Sequence, residues 1–325
     1  GEISSGHSTS CMNCLQSKCD PQRLINVTTR FAQIEPTTRC NFTCGFCTGR
    51  KMSQGDLTLE AFRKILDIHP DLEHIELQGE GEPLLHRDFI GMLEIAHQKK
   101  LKVSIITNGS LLTPKIIDAI FRYQVLSIHI SLESAEPTLF QSIRGGRFDK
   151  VQNGLERLAQ ERAERNLKQP KIGLAVTVLK KTMGSMPPIF DIYQKLKLDA
   201  GIFIQPLQKM AAYTDGYNDD MKRELLSHED LMQYHENLYA IDGMQPLLKG
   251  KKNISAFYRG LAKSVRNGEK GCPWLLHGTF VSYTGDVMPC CTVKDTSYSL
   301  GHIEKTPLSA LNGARLKMNE LIVQG

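Results

Sequence analysis

From about residue 30 to residue 206, short apolar β-rich runs alternate with stretches in which apolar residues recur every three to four positions. The first pattern has the period of a strand and the second that of an amphipathic helix. Strands are predicted over Phe31–Ile34, His74–Gln78, Lys102–Thr107, Val125–Leu132, Lys171–Leu179 and Gly201–Gln205. Helices are predicted between them over Thr58–Ile68, Asp88–Lys99, Pro114–Tyr123, Lys150–Glu164 and Pro187–Leu196. Such alternation calls for a parallel sheet with helices outside. Six units fall short of the eight of a closed barrel. The expected fold is therefore α/β, a partial (β/α)6 barrel over residues 30–210. Functional groups of such sheets gather at the C-terminal ends of the strands.

The rest of the chain reads differently. Asp215, Asp219 and Asp220 open a polar stretch, and helical patterns follow at Glu229–Tyr239 and Ser255–Val265, so 211–265 is expected to be a helical linker. Residues 266–325 form a small cysteine-bearing α+β module, and 1–29 a cysteine-bearing N-terminal segment. There is no repeat and no low-complexity tract. With 41% hydrophobic and 23% charged residues among 325, the composition is that of a globular protein. The net charge of +5 is mild. Its short basic clusters, Lys99-Lys100 and Lys249-Gly250-Lys251-Lys252, read as solvated surface, and no basic aromatic stretch suggests nucleic acid. No apolar run is long enough for a membrane span, and the first ten residues lack the apolar core of a signal peptide.

The nine cysteines fall into three groups: Cys11, Cys14, Cys19; Cys40, Cys44, Cys47; and Cys272, Cys290, Cys291. A disulfide framework would scatter them more evenly. Clustering without a secretion signal reads as metal or iron–sulfur ligation in a reducing, cytoplasmic compartment. The middle group has the spacing C-x3-C-x2-C directly after the first predicted strand. Three thiolates this close can hold three irons of a [4Fe–4S] cube and leave the fourth open to a small molecule. A structural zinc site would want four ligands, and a ferredoxin a fourth cysteine. None lies between Cys47 and Cys272.

This spacing, with Phe46 just before the last cysteine, resembles the radical S-adenosylmethionine (SAM) superfamily. The resemblance implies a [4Fe–4S] cluster whose open iron binds SAM. It further implies an electron from a reductant such as flavodoxin or ferredoxin, and hydrogen abstraction from a substrate by a 5′-deoxyadenosyl radical. Residues after the other strands fit the same family. Glu80-Gly81-Glu82-Pro83 resembles its GGEP segment, whose backbone meets the SAM amino group; Glu80 replaces the first glycine, while Gly81 keeps the close approach. Thr107-Asn108-Gly109 closes the third strand as is common there. By resemblance, Ser131 would bond the ribose or methionine part, Arg144 would pair with the SAM carboxylate, and Val176 with Thr177 would flank the adenine.

The C-terminal group, Cys272-x12-Gly285-x4-Cys290, resembles the first half of the SPASM or twitch module, which holds auxiliary [4Fe–4S] clusters. The usual later C-x2-C pair is missing, and Cys11, Cys14 and Cys19 are the candidates to complete one auxiliary cluster. Cys291, next to a ligand, should face the other way. It is either a packed thiol or a hydrogen-atom donor to a substrate radical. His277, Trp274, Tyr213 and Gln205 are positional candidates for a substrate site. The expected activity is oxidation, crosslinking or epimerisation in biosynthesis. Only about thirty residues precede the sheet, which tilts the expected substrate towards a small polar metabolite, such as a sugar or aminocyclitol, or a peptide delivered by another protein. The competing reading is a non-catalytic iron–sulfur electron carrier or a zinc-stabilised interaction protein.

Overall fold

The computed structural model describes residues 27–249, 255–264, 271–293 and 295–324. Cys11, Cys14, Cys19, Val265 and the basic residues Lys251 and Lys252 lie outside them. Six parallel strands form in the expected order: β1 (Phe31–Ile34), β2 (His74–Leu77), β3 (Lys102–Thr107), β4 (Ser127–Ser131), β5 (Lys171–Val178) and β6 (Ile202–Pro206). Each pairs with the next in sequence. Helices α1 (Leu59–Ile68), α2 (Phe89–Gln98), α3 (Pro114–Arg122), α4 (Pro137–Arg144), α5 (Phe148–Glu164) and α6 (Met186–Lys195) connect them. The helix starts have local causes. Thr58 accepts a hydrogen bond from Ala61 N at 3.0 Å, and Thr113 precedes Pro114 at the first helical position of α3.

β4 is shorter than predicted at both ends. At its start, Gln124 takes a left-handed φ of 53°, and the Val125 N–H returns to Ile120 O at 3.1 Å, so this stretch closes α3 rather than entering the strand. Helix α4 has no counterpart in the prediction. It is one of the shortest of these helices, bounded by Glu136 as cap, Pro137 at its first turn and Gly145 at its end.

The two faces of the sheet differ. Ala32 and Ile34, Ile75 and Leu77, Val103 and Ile105, Ile128 and Ile130 are buried in the apolar core. The alternate positions, facing the barrel interior, are mostly polar: Gln33, His74, Glu76, Ser104, Ser127 and His129 are buried there. At the base, the His74 ring meets Ser104 Oγ at 2.7 Å, and Ser104 Oγ meets Ser127 Oγ at 2.8 Å.

The C-terminal region joins the same sheet as the six parallel strands. Strand β7 (Gly278–Val281) pairs in parallel with β1, from Phe31↔Gly278 to Ile34↔Val281. Strands β8 (Asp286–Met288) and β9 (Gly301–His302) add antiparallel to it. The auxiliary segment therefore extends the same sheet, to nine strands among the described residues. Its first strand covers the edge of β1 that an incomplete barrel exposes.

The expected linker is also structural. After α7 (His228–Ala240), helix α8 (Ala256–Ser264) buries Phe257 and Leu261 with Phe31, Trp274, Leu275, Phe280 and Met288. Phe257 stands edge-on to Phe31 at 5.8 Å and to His74 at 5.3 Å. The last helix, α9 (Leu308–Gln324), inserts Arg315, which bonds Thr29 Oγ1 at 2.6 Å and the Leu275 carbonyl at 3.1 Å. No helix among the described residues is long and apolar enough to cross a membrane.

Phe257 is fully buried at the junction of α8, β1 and β2. Its replacement by alanine is expected to cost about 3–5 kcal/mol in a denaturant titration. A cost under about 1 kcal/mol would contradict this packing.

Candidate functional site

β1 runs into the loop that carries Cys40, Cys44 and Cys47. The end of α4 holds this loop: Thr43 N–H bonds Arg144 O at 2.9 Å, and Gly45 N–H bonds Ile143 O at 3.1 Å. Gly145 ends α4 at φ 63°, and a Cβ there would collide with Thr43. All three cysteines line one cavity of about 230 Å³ at the strand ends. N–H donors face two of the sulfurs. Phe42 N is 3.4 Å and Asn108 Nδ2 3.9 Å from Cys40 Sγ, and Arg144 Nη1 is 3.8 Å from Cys44 Sγ. Cys47 lies 3.5 Å from the Glu80 carbonyl.

Burial pushes all three thiols up, Cys47 to about 12 with help from the nearby Glu80 charge. They stay protonated until a cation displaces the protons. Among the described residues, no three His, Cys, Asp or Glu side chains converge on a point where one metal ion could sit. Three cysteines lining one cavity suit a cluster in which each binds its own iron, so the donor set fits a [4Fe–4S] group.

The other expected residues meet at the same cavity: Phe46, Glu80, Gly81, Glu82, Asn108, Ser131, Arg144 and Val176 all line it. Gly81 must be small, because a Cβ would lie 2.3 Å from the Thr37 carbonyl. Glu82 is turned away from any ligand. Its carboxylate accepts from Leu84 N at 3.0 Å, Thr107 Oγ1 at 2.5 Å and Asn108 N at 2.7 Å, tying the second and third strand ends together. Burial still outweighs these bonds and pushes its carboxyl up. Asn108 spends its side chain on the loops, donating to Asn41 Oδ1 at 2.9 Å and accepting from Ser110 Oγ at 2.7 Å. Arg144 is more committed than its expected role suggests. Its Nε and Nη2 are paired with the Glu133 carboxylate, its plane lies over the Phe46 ring at 5.6 Å, and Nη1 remains towards Cys44.

One brace of the site was not among the expected residues. Glu35 continues the inward face of β1 and is buried. Its carboxylate accepts from Glu80 N at 2.8 Å and from Tyr283 N, in the β7–β8 turn, at 3.3 Å. Gly79 leaves room for it, since a Cβ there would sit 2.2 Å from Glu35 Cγ. The period-2 register Phe31, Gln33, Glu35 already points this acid inwards. The far wall was also missed in part. Tyr213 and Gln205 line the cavity as positional candidates, but so do Gln33, Phe203, Tyr217 and Tyr258. Trp274 packs in the C-terminal core instead, and neither it nor His277 reaches the cavity.

Cys272 and Cys290 share the buried C-terminal core, with Cys272 N bonding Asn319 Oδ1 at 2.9 Å and Cys290 Sγ 3.0 Å from Thr292 Oγ1. Cys272 caps the short helix Pro273–Leu276 before β7 and Cys290 follows β8, so the two thiols flank one hairpin and suit part of a cluster site. Neighbouring Cys291 lines the cavity instead, 3.7 Å from the Tyr258 hydroxyl. Both cysteines lie past the end of β8, in a bend and turn, so it is the turn and not strand alternation that separates their directions.

A profile of the radical SAM superfamily matches residues 34–169, and a profile of SPASM, an iron–sulfur cluster-binding domain, matches residues 272–322. Among curated relatives, the tungsten-containing aldehyde ferredoxin oxidoreductase cofactor-modifying protein of Pyrococcus furiosus is 28% identical over 53% of this chain and 50% of its own length. A probable GTP 3′,8-cyclase of Methanopyrus kandleri is 25% identical over 62% of this chain and 64% of its own. The antilisterial bacteriocin subtilosin biosynthesis protein AlbA of Bacillus subtilis is 25% identical over 84% of this chain and 57% of its own. The chain thus spans about half to two thirds of these relatives. Streptococcus suis SuiB bound to its precursor peptide SuiA has the same fold, with a TM-score of 0.64 at 16% identity over 89% of this chain and 67% of that one. The two matched domains imply a SAM-binding [4Fe–4S] cluster and an auxiliary cluster. The cysteine loop lies within the first matched segment and Cys272 and Cys290 within the second, so the chain carries a radical SAM domain over residues 34–169 and a SPASM iron–sulfur cluster-binding domain over residues 272–322.

Proposed function

We propose that this chain cleaves SAM reductively and uses the resulting radical to abstract hydrogen from a substrate carbon inside the strand-end cavity. One observation carries this reading: Cys40, Cys44 and Cys47 share a single cavity with strand-end residues from β2 to β5. A closed electron carrier has no use for such a space. When bound, the cluster and SAM supply one electron and a 5′-deoxyadenosyl radical. The chain's own residues hold, orient and shield. Cys40, Cys44 and Cys47 are the cluster ligands. The backbone around Glu80 and Gly81 meets the SAM amino group, and Ser131 its ribose or methionine part. Val176 flanks the adenine, and Phe46 closes the cluster side. Arg144 offers its remaining Nη1 edge to the SAM carboxylate, with Glu133 fixing the guanidinium plane.

In the auxiliary domain, Cys272 and Cys290 are cluster ligands, and the N-terminal cysteines complete the set. A cluster held by these cysteines would supply an acceptor for the substrate's electron in an oxidation or crosslink. Cys291 is placed to return a hydrogen atom to a substrate radical, which an epimerisation would use. The substrate is a peptide or a small polar metabolite such as a sugar or aminocyclitol; the likeness to AlbA supports a peptide. A cytoplasmic flavodoxin or ferredoxin supplies the electron.

Anaerobically purified protein is expected to hold roughly 8 Fe per chain, and about 4 after Cys40, Cys44 and Cys47 are changed to alanine. The same triple variant should form no 5′-deoxyadenosine with dithionite and SAM. Wild-type protein that is iron-loaded yet cleaves no SAM would overturn the reading. Glu35→Gln removes a charged acceptor from the Glu80 and Tyr283 N–H groups. SAM affinity should fall roughly tenfold with iron content unchanged, as read by calorimetric titration. Unaltered affinity would show that Glu35 does not position this loop.

A further inference from the structure

Cys291 stands at one end of a hydrogen-bond chain that joins four segments of the fold. Gln33 lies on the inward face of β1, Gln78 follows β2, Tyr258 belongs to α8, and Cys291 follows β8. All four line the cavity. Gln33 Nε2 is 3.4 Å from the Gln78 carbonyl, the Tyr258 hydroxyl is 3.0 Å from Gln33 Oε1, and Cys291 Sγ is 3.7 Å from the same hydroxyl.

The carbonyl at the far end sets the direction of every bond in the chain. A backbone carbonyl can only accept, so the Gln33 amide turns its nitrogen towards Gln78. Its oxygen, also an acceptor only, is left towards Tyr258. The phenol carries one hydrogen and gives it to Gln33. Burial pushes this phenol well above the ordinary tyrosine range, so the hydrogen stays in place. Towards Cys291 the phenol oxygen has only lone pairs to offer, and the thiol is the donor. The Cys291 hydrogen points at Tyr258.

The accepting ring is itself fixed. It stacks on Phe203 at 5.8 Å and meets Phe257 at 5.4 Å and Trp274 at 6.1 Å, both edge-on. A thiol is a weak donor, so this bond adds little to stability. It is enough to choose which way the hydrogen rotates about the Cβ–Sγ bond. That choice matters beside a radical. An S–H bond is weaker than most C–H bonds, and a thiol hydrogen loose in the cavity would be taken by the 5′-deoxyadenosyl radical ahead of the substrate.

We infer that Tyr258, oriented by Gln33, is a positioning residue that parks the Cys291 hydrogen on its phenol oxygen and keeps it from the 5′-deoxyadenosyl radical. The inference rests on the proposed return of hydrogen by Cys291 and adds the two residues that control it. In the return step the S–H bond breaks homolytically and a C–H bond forms on the substrate radical. The thiyl left on Cys291 takes one electron from the flavodoxin or ferredoxin and one proton from water.

Two measurements test this. Infrared spectra of the holoenzyme, each minus that of the same protein carrying C291A, isolate the S–H stretch of Cys291. The band should move to higher frequency in both Y258F and Q33M. The first removes the acceptor; the second keeps it but frees the phenol hydrogen to turn towards sulfur. A band unmoved in Y258F would overturn the inference, and so would one that moves in Y258F but not in Q33M. The second measurement follows deuterium in 5′-deoxyadenosine formed in D2O from SAM and dithionite, without substrate. Here S–D breaks, a 5′ C–D bond forms, and dithionite gives the thiyl one electron while solvent gives it a deuteron. The deuterated fraction should rise about threefold in Y258F and Q33M, the effect of losing one weak bond, and the rise should vanish in Y258F/C291A. No rise, or a rise that persists without Cys291, would overturn the inference. Absence of 5′-deoxyadenosine in wild type and every variant would count against the SAM reading instead, and the infrared band would still decide the direction of the Cys291 bond.

Discussion

One buried carboxylate, that of Glu35, joins the parts of this protein. It sits just past the end of β1, the strand that pairs with β2 on one side and β7 on the other. From there it collects the Glu80 N–H of the loop after β2 and the Tyr283 N–H of the auxiliary hairpin. Five residues further on begins the cysteine loop. A charged acceptor holding two amides in a buried place is stronger than neutral bonds would be, and more costly to leave half-made. The loop after β2 and the auxiliary hairpin thus share one acceptor, beside the β1–β7 ladder and the α4 contacts that hold the cysteine segment. This arrangement also explains why the C-terminal segment adds to the barrel sheet instead of standing apart.

The same logic recurs at smaller scale. Glu82 ties the second strand end to the third, and Glu133 fixes the guanidinium of Arg144 beside Cys44. These acids are spent on architecture, although their positions at strand ends make them look like ligand contacts. What remains directed at the cavity is largely backbone, thiol and neutral side chain. Such a site leaves the charge to its cofactor and keeps solvent out with Phe46, Val176, Phe203 and Leu207. Preorganised groups of this kind have little to rearrange when a ligand arrives.

Much of this was legible in the sequence. The six strands follow from period and composition, because a parallel strand buried on one side by helices must carry Ile, Leu and Val at alternate positions. The cysteine spacing and the strand-end motifs pointed to one place because strand ends converge in a parallel sheet. Long-range pairing was not legible. Nothing in Gly278–Val281 says that its partner is Phe31–Ile34, since register between distant segments depends on which edge the fold leaves open. Helix α8 read as part of a helical linker because a polar stretch opens that segment, yet Phe257 and Tyr258 make it part of the core and of the cavity wall. Arg144 was recognised, but its partner Glu133 was not, as pairing across eleven residues through a turn leaves no periodic trace. Roles of Cys11, Cys14 and Cys19 lie outside the described residues.

The account turns on the proposal that a cluster held by Cys40, Cys44 and Cys47 would leave one iron open to the SAM amino group. The most direct measurement is electron–nuclear double resonance on the reduced holoenzyme with SAM labelled with ¹⁵N at its amino group. A resolved ¹⁵N coupling to the cluster, present in wild type and absent when Cys40, Cys44 and Cys47 are alanine, is the predicted result. Iron-loaded wild type that binds SAM without any such coupling would contradict it.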